Sequence, residues 1–320
     1  MNRSLPLTRL LDRRSRAVKR HLAAAIAGKD SGVHQARVAS RRLREALPVL
    51  TVGLTHTKGG KALRKIRRLT AALGGVRELD VTLHLIDELA ERPNVPAAAL
   101  AEVRAQVIEE RERRRQVMLK RLEHIDIAKL DRRLNAVKQA LLHATPAQHG
   151  WRAALAARVA VRARRLVRAI DEAGQVYAAQ SLHDVRIAAK KLRYALEIAD
   201  ESGAAPCADS VRTLKRVQDT LGRLHDLQVL QHHAAAVGAT PRRRRTIPDA
   251  ALAGLLRLVE DECRMLHGRY VAALPLLGAV VEAARRDVPA RLTARRSARA
   301  VKMTLAARRR AVAGRRAAER

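Results

Sequence analysis

The sequence predicts an all-α protein of long helices in which one helical unit occurs twice, and three observations carry that reading. Hydrophobic residues make up 48% of the 320 residues, with Ala, Leu and Val dominant, few β-branched runs and 30% charged residues; that balance suits amphipathic helices. Glycine and proline fall at helix-length intervals along the chain. The stretch VHQARVASRRLREAL (Val33 to Leu47) returns as LHDVRIAAKKLRYAL (Leu182 to Leu196). A chain of this length has room for two hydrophobic cores.

The breakers set the elements in order. Pro6 suits a first helical turn, Gly28 closes that helix, and Asp30 or Ser31 caps the next. Gly53, Gly59–Gly60, Gly74–Gly75 and Pro93 to Pro96 then divide the first half into helices near 5–27, 31–52, 59–73 and 76–91. From about Ala97 to His143 the chain is rich in opposite charges at helical spacing, which predicts one or two extended helices. Thr145 and Pro146 mark the midpoint.

Helices at 147–173, 179–202, 205–221 and 224–237 are expected next, then a loop with Arg242 to Arg245 and a helical stretch from Asp249 to Arg286 broken near Pro275. The predicted units are 5–143 and 147–286. Residues 287–320 are Ala- and Arg-rich and read as a mobile basic tail or a solvated helix.

The repeat extends well past the two quoted stretches. A shift of 149 residues places Arg13 on Arg162, Arg16 on Arg165, His34 on His183, Arg37 on Arg186, Arg41 on Lys190, Arg42 on Lys191 and Arg44 on Arg193. A shift of 148 places Arg64 on Arg212, Arg67 on Lys215, Arg68 on Arg216, and LGGVRELDV (73–81) on LGRLHDLQV (221–229). Single Arg matches mean little in so basic a chain, but a continuous run with matching leucines and glycines marks an internal duplication.

On a helix, His34, Arg37, Arg41 and Arg44 fall within an arc of roughly 80°, while Ala36, Ala39, Leu43, Ala46, Leu47 and Leu50 gather on the other side. His183, Arg186, Lys190 and Arg193 repeat the stripe. Like charges spread over about 15 Å without an acid among them repel one another. An anionic chain lying along the row relieves that repulsion, gripped by arginine's paired N–H donors and by lysine as a point charge. A histidine beside phosphate would favour its charged form.

The net charge of +34 and pI near 11.6 point the same way, toward polyanions. Aromatic residues are 1% of the chain, with no Phe, which argues against stacking on single-stranded nucleic acid. Cys207 and Cys263 stand apart with no metal-site spacing, so the cytoplasm is the expected compartment. The N-terminal MNRSLPLTRLLDRRSR has no signal-peptide core, and the longest apolar run, Val271 to Val281, falls short of the ~20 residues of a membrane span.

The loop THTKGGKAL has Thr55 and Ala62 where a phosphate-binding P-loop needs Gly and Ser/Thr, and neither H-E-x-x-H nor G-x-S-x-G occurs. Glu78, Asp80 and Asp226 follow the L-G turns, where acids suit a helix's first turn or pair with bases. No cofactor, metal or catalytic group is expected.

The pattern His-x-x-Arg-x-x-x-[Arg/Lys]-[Arg/Lys]-Leu-Arg at 34–44 and 183–193, each followed by an L-G-x-x-x-[Asp/Glu] turn, closely resembles the CHAD domain family over about residues 5–285. The resemblance implies two four-helix bundles related by a pseudo-twofold axis. Between them it implies a basic groove or pore that binds inorganic polyphosphate without catalysis, in some members at polyphosphate granules.

Carried over by position, the resemblance makes His34, Arg37, Arg41, Arg42 and Arg44 ligands in the first half and His183, Arg186, Lys190, Lys191 and Arg193 in the second. Arg64, Arg67, Arg68, Arg212, Lys215 and Arg216 would line adjoining helices, with Arg13, Arg16, Arg162 and Arg165 further out. Glu110-Arg111-Glu112 followed by Arg114 departs from the Glu-x-Glu-x-Lys mark of the tunnel domain fused to some members, so a stand-alone domain is expected. The competing expectations are a nonspecific nucleic-acid binder using the same surface, and a phosphate-cleaving enzyme with Mg²⁺ on Glu78, Asp80 and Asp226.

Overall fold

The computed structural model describes residues 5–27, 30–54, 59–144, 150–239 and 247–293. Among them no strand occurs. The helices are α1 (Leu5–Ile26), α2 (Asp30–Leu50), α3 (Gly59–Ala72), α4 (Gly74–Ala90), α5 (Ala97–Glu123), α6 (Ile127–His143), α7 (Trp151–Ala173), α8 (Ala179–Glu201), α9 (Ala208–Ala239), α10 (Asp249–Ala272) and α11 (Leu274–Arg285). The protein is all-α, as its composition and breakers predict.

The ends follow local chemistry. The segment 97–143 divides at Asp126, whose carboxylate caps α6 by accepting from the Lys129 N–H at 2.7 Å. Pro275 opens α11 and so separates it from α10. Gly32 lets α2 start hard against α1: a Cβ there would lie 2.5 Å from the Ala24 carbonyl carbon.

The apolar face predicted for α2 is the one that packs, with Ala36, Ala39, Leu43, Ala46, Leu47 and Leu50 all buried. Its counterpart on α8 buries Val185, Ala188, Ala189, Leu192, Ala195 and Leu196. Each fully buried leucine contributes about 1.5–3 kcal/mol.

Around these faces α1, α2, α3 and α6 close one ring of four helices, and α7, α8, α9 and α11 close another. Between the rings α4 and α5 pack on α9, and α5 on α10, while α2 crosses to touch both α7 and α8. Buried side chains from all eleven helices belong to one hydrophobic cluster.

Two expectations fail. The break predicted between 221 and 224 is absent, and α9 runs unbroken through Gly222. Leu221, Leu224, Leu227 and Leu230 keep helical spacing across it and are all buried, which outweighs the roughly 1 kcal/mol that one interior glycine costs. In the first half, Gly74–Gly75 accompany a real interruption at Leu73.

The tail also does not begin at 287 as a solvated segment. Residues 287–293 are helical, and Val288 and Leu292 are buried in the shared core. Residues 294–320, the loop with Arg242 to Arg245, Gly28, and Thr145–Pro146 lie outside the described residues.

Candidate anion-binding site

Where α2 meets α8, the charged stripes of both halves turn toward each other across a cavity of about 670 Å³. The α2 side supplies His34, Arg37 and Arg41, and the α8 side His183, Arg186, Lys190 and Arg193. Both stripes reach this common space because each helix packs its Ala/Leu face into its own ring and leaves the opposite face at the seam.

Arg37 is held in place by the backbone of a neighbouring helix. Its Nη1 donates to the Thr70 carbonyl at 3.0 Å, and a Cβ on Gly74 would come within 2.8 Å of the same nitrogen. The glycine of the first L-G turn is thus the space that the guanidinium occupies. The second turn differs: a Cβ on Gly222 would meet only Arg186 Nε, at 4.0 Å.

The cations crowd one another. Burial first, then repulsion from Arg41, lowers the pKa of Arg37 to about 10. Burial also lowers Arg41 and Arg186, opposed by Tyr194 and Asp226 respectively. The strongest case is Lys190: burial and then Arg186, Arg41, Arg193 and Arg37 push its ammonium down to about 7. Two of those four arginines come from the other half of the chain. His34 and His183 are both lowered by burial, then by Arg77 and Arg186 respectively.

The remaining predicted residues divide into two groups. Arg42, Arg44, Arg193, Arg13 and Arg162 are tied to carboxylates, so the stripe is not free of acids as expected. Glu45 binds Arg158 and Arg162 of α7 at 2.5 and 3.5 Å and Arg44 at 3.6 Å. Glu197 holds Arg42 of α2 at 3.2 Å and Arg193 at 3.5 Å. Glu201 takes Arg13 and the buried Arg14 at 2.5 and 3.1 Å. These pairs join α1 and α2 to α8, and α7 to α2. Arg193 both pairs with Glu197 and lines the cavity. Lys191, lowered by burial and then by Arg162 and Arg165, belongs to the Glu45 side.

Arg64, Arg67, Arg68, Arg212, Lys215 and Arg216 are exposed on α3 and α9 and do not line the cavity; Arg212 pairs with Asp209. Arg16 and Arg165 are exposed as well. Sequence reasoning missed Arg77 from α4 and Arg223 and His225 from α9, and gave Glu78 and Asp226, also in the wall, only a first-turn role or pairing with bases or, in the enzyme alternative, Mg²⁺. Their signal was present in LGGVRELDV and LGRLHDLQV, where Arg77 and His225 hold the same place.

Asp226 is not in a first helical turn, because α9 is continuous. It faces the cavity, its pKa raised by burial against the pull of Arg186 and Arg77. Asp80 pairs with Arg111 at 2.6 Å. Arg223 is locked to Glu88 by two bonds of 2.6 and 2.9 Å and to Glu262 at 3.0 Å, joining α4, α9 and α10 beside the cavity.

Among the described residues no three His, Cys, Asp or Glu side chains are arranged to hold a metal ion, and no helix is long and apolar enough to cross a membrane. The cavity presents permanent cations on facing walls, which suits a multiply charged oxyanion.

A family model for the CHAD domain matches residues 9–235. The chain belongs to the CHAD domain family. Among solved structures, the CHAD domain from the plant Ricinus communis is similar, at 23% identity and a TM-score of 0.55, covering 88% of this chain and 91% of that one. PptA from Streptomyces chartreusis is similar at 18% identity and a TM-score of 0.61, covering 85% and 99%. At these identities the two likenesses concern the fold. No curated protein matches the chain. The matched range 9–235 takes in both motif copies and the whole cavity wall contributed by α2, α4, α8 and α9.

Proposed function

We propose that this CHAD protein binds inorganic polyphosphate in the cavity between α2 and α8, as a non-catalytic binding protein of the cytoplasm that associates with polyphosphate granules. The observation that carries the reading is convergence: Arg37 and Arg41 face Arg186 and Lys190 across one cavity, although the two sets lie 149 residues apart in sequence. Crowded cations destabilise the empty protein. A linear polyanion relieves their repulsion at every phosphate it seats, so long chains are favoured over single phosphates.

Much of the affinity comes from released counterions. Five neutralised cations give a log–log salt slope of about −3 to −4 for a flexible strand. The deciding experiment is competition. Sized polyphosphate bound to the protein is challenged with duplex DNA at equal phosphate concentration, with free orthophosphate followed in the presence of Mg²⁺. Polyphosphate is expected to persist and remain intact. Displacement by DNA would favour a nonspecific nucleic-acid binder, and released orthophosphate would favour an enzyme.

A further inference from the structure

Two further pockets open off the basic cavity, and they differ in chemistry. One, on the first-half side, shares His34 and Arg77 with it, and its acids are already engaged: Arg111 with Asp80 at 2.6 Å and Arg104 with Asp87 at 2.9 Å. The other, about 540 Å³, shares Glu78, His183 and His225 with the cavity and adds His232 and His233. In the alignment of the halves His225 stands where Arg77 does, and Gln228 stands where Asp80 does. A permanent cation and its acid neighbour are thereby replaced by an imidazole and an amide.

The charged groups facing these rings come from four helices. They are Glu78 on α4, Glu110 and Arg114 on α5, Asp184, Arg186 and Lys190 on α8, and the α9 histidines themselves. Glu110 is held by Arg113 and Arg114. The Nδ1 atoms of His183 and His225 approach to 3.4 Å. One ring of the neutral pair donates there and the other accepts. Two imidazoliums would set N–H against N–H, unless an acceptor oxygen entered between them.

We propose that this histidine-lined pocket is a proton-dependent phosphate site, which seats the terminal phosphates of the polyanion held in the adjoining cavity and releases them as its imidazoles lose their protons. The proposal rests on the polyphosphate reading of that cavity. Burial, then Arg186 and His183, hold His225 down at about 4 in the empty protein, and burial lowers His183 and His233. A phosphate among the rings opposes that depression. The occupied protein therefore binds more protons than the empty one, and affinity rises as pH falls below the ordinary imidazole range.

The test is titration of the full chain with sized polyphosphate between pH about 5 and about 8, for the wild type and for His232→Gln with His233→Gln, two residues outside the main cavity. Wild-type affinity is expected to rise about tenfold from pH 6.5 to pH 5, the equivalent of one unit of imidazole pKa, with the double variant keeping about a threefold rise and unchanged affinity at pH 8. An undiminished rise in the double variant would overturn the site.

As a measurement free of substitutions, imidazole resonances of the wild type are followed with and without polyphosphate. The rings of His183, His225 and His233 should titrate at higher pH in its presence, and unmoved midpoints would likewise overturn the proposal. Failure of polyphosphate to bind the wild type at any pH would instead sink the reading of the main cavity.

Discussion

The two halves of the seam hold equivalent places with unequal charges. On α2 the stripe is His34, Arg37 and Arg41, backed by Arg77; on α8 it is His183, Arg186, Lys190 and the Glu197-paired Arg193, backed by His225. Three of the first four are permanent cations. In the second set Arg186 is, and Arg193 is tied to Glu197, while Lys190 sits at about 7 and His225 at about 4. The two stripes keep matching positions and spacing while the pKa values of their groups differ, so the charge of the α8 wall depends more on pH than that of the α2 wall.

The largest test removes both walls. Replacing Arg37, Arg41, Arg186 and Lys190 together with Ala should weaken polyphosphate binding by a thousandfold or more, at roughly 1.5–3 kcal/mol per charged hydrogen bond lost. Titration calorimetry would read it, with circular dichroism to confirm the helices. Equal binding by the variant would move the activity elsewhere on the chain. Made as two pairs, the substitutions sharpen the comparison: at pH about 8.5 the Arg37/Arg41 pair should cost more than the Arg186/Lys190 pair, because a lysine of pKa near 7 is then mostly neutral.

Next in size is the effect of pH on Lys190 itself. Its folded pKa of about 7 lies below the ordinary 10.5, so between these values the unfolded chain binds more protons. Stability of the ligand-free protein should therefore rise with pH across that window, and the penalty is fully present below 7. Lys190→Met should stabilise the protein at pH about 6 by 1–3 kcal/mol in denaturant unfolding, the full gap being discounted for screening. Polyphosphate affinity should run the other way, falling above pH 7. Lys190→Arg should flatten that decline.

A smaller contrast lies in the two turn glycines. Gly74→Ala drives a methyl into Arg37 Nη1 and disrupts its bond to the Thr70 carbonyl, which should weaken binding about tenfold, the worth of roughly one hydrogen bond. Gly222→Ala meets only Arg186 Nε, at an ordinary contact distance, in a continuous helix and should raise stability by about 0.5–1 kcal/mol with binding changed far less than by Gly74→Ala. Thermal melts and titrations on both variants decide it. The smallest effect belongs to the exposed trios. Arg64/Arg67/Arg68→Ala and Arg212/Lys215/Arg216→Ala should each cost less than about threefold at physiological salt, because exposed charges away from the cavity are screened.

Helix periodicity and breakers made most of the fold legible, since Ala36 through Leu50 must be buried on one side and leave the basic residues on the other. The same logic misjudged α9, where Gly222 looked like a stop. A glycine ends a helix only when the leucines around it do not pack straight through, and that depends on α8, α10 and α11 beside it. Val288 and Leu292 were hidden in an Arg-rich stretch for the related reason that two apolar residues four apart suffice when a groove is already waiting for them. Arg77, Arg223 and His225 escaped because each sits on a helix whose pattern shows only that it is polar there, not what it faces.

By itself, the sequence determined an all-α chain, its repeated motif and a strongly positive charge, because these follow from residue type and spacing along one chain. Only the tertiary structure decided that the two stripes share one cavity, that Arg42, Arg44 and Arg193 are partnered by carboxylates, and that Lys190 faces arginines from the opposite half. Such relations depend on distances between segments far apart in the chain and on how much water reaches them, and both quantities come into being only when the helices pack.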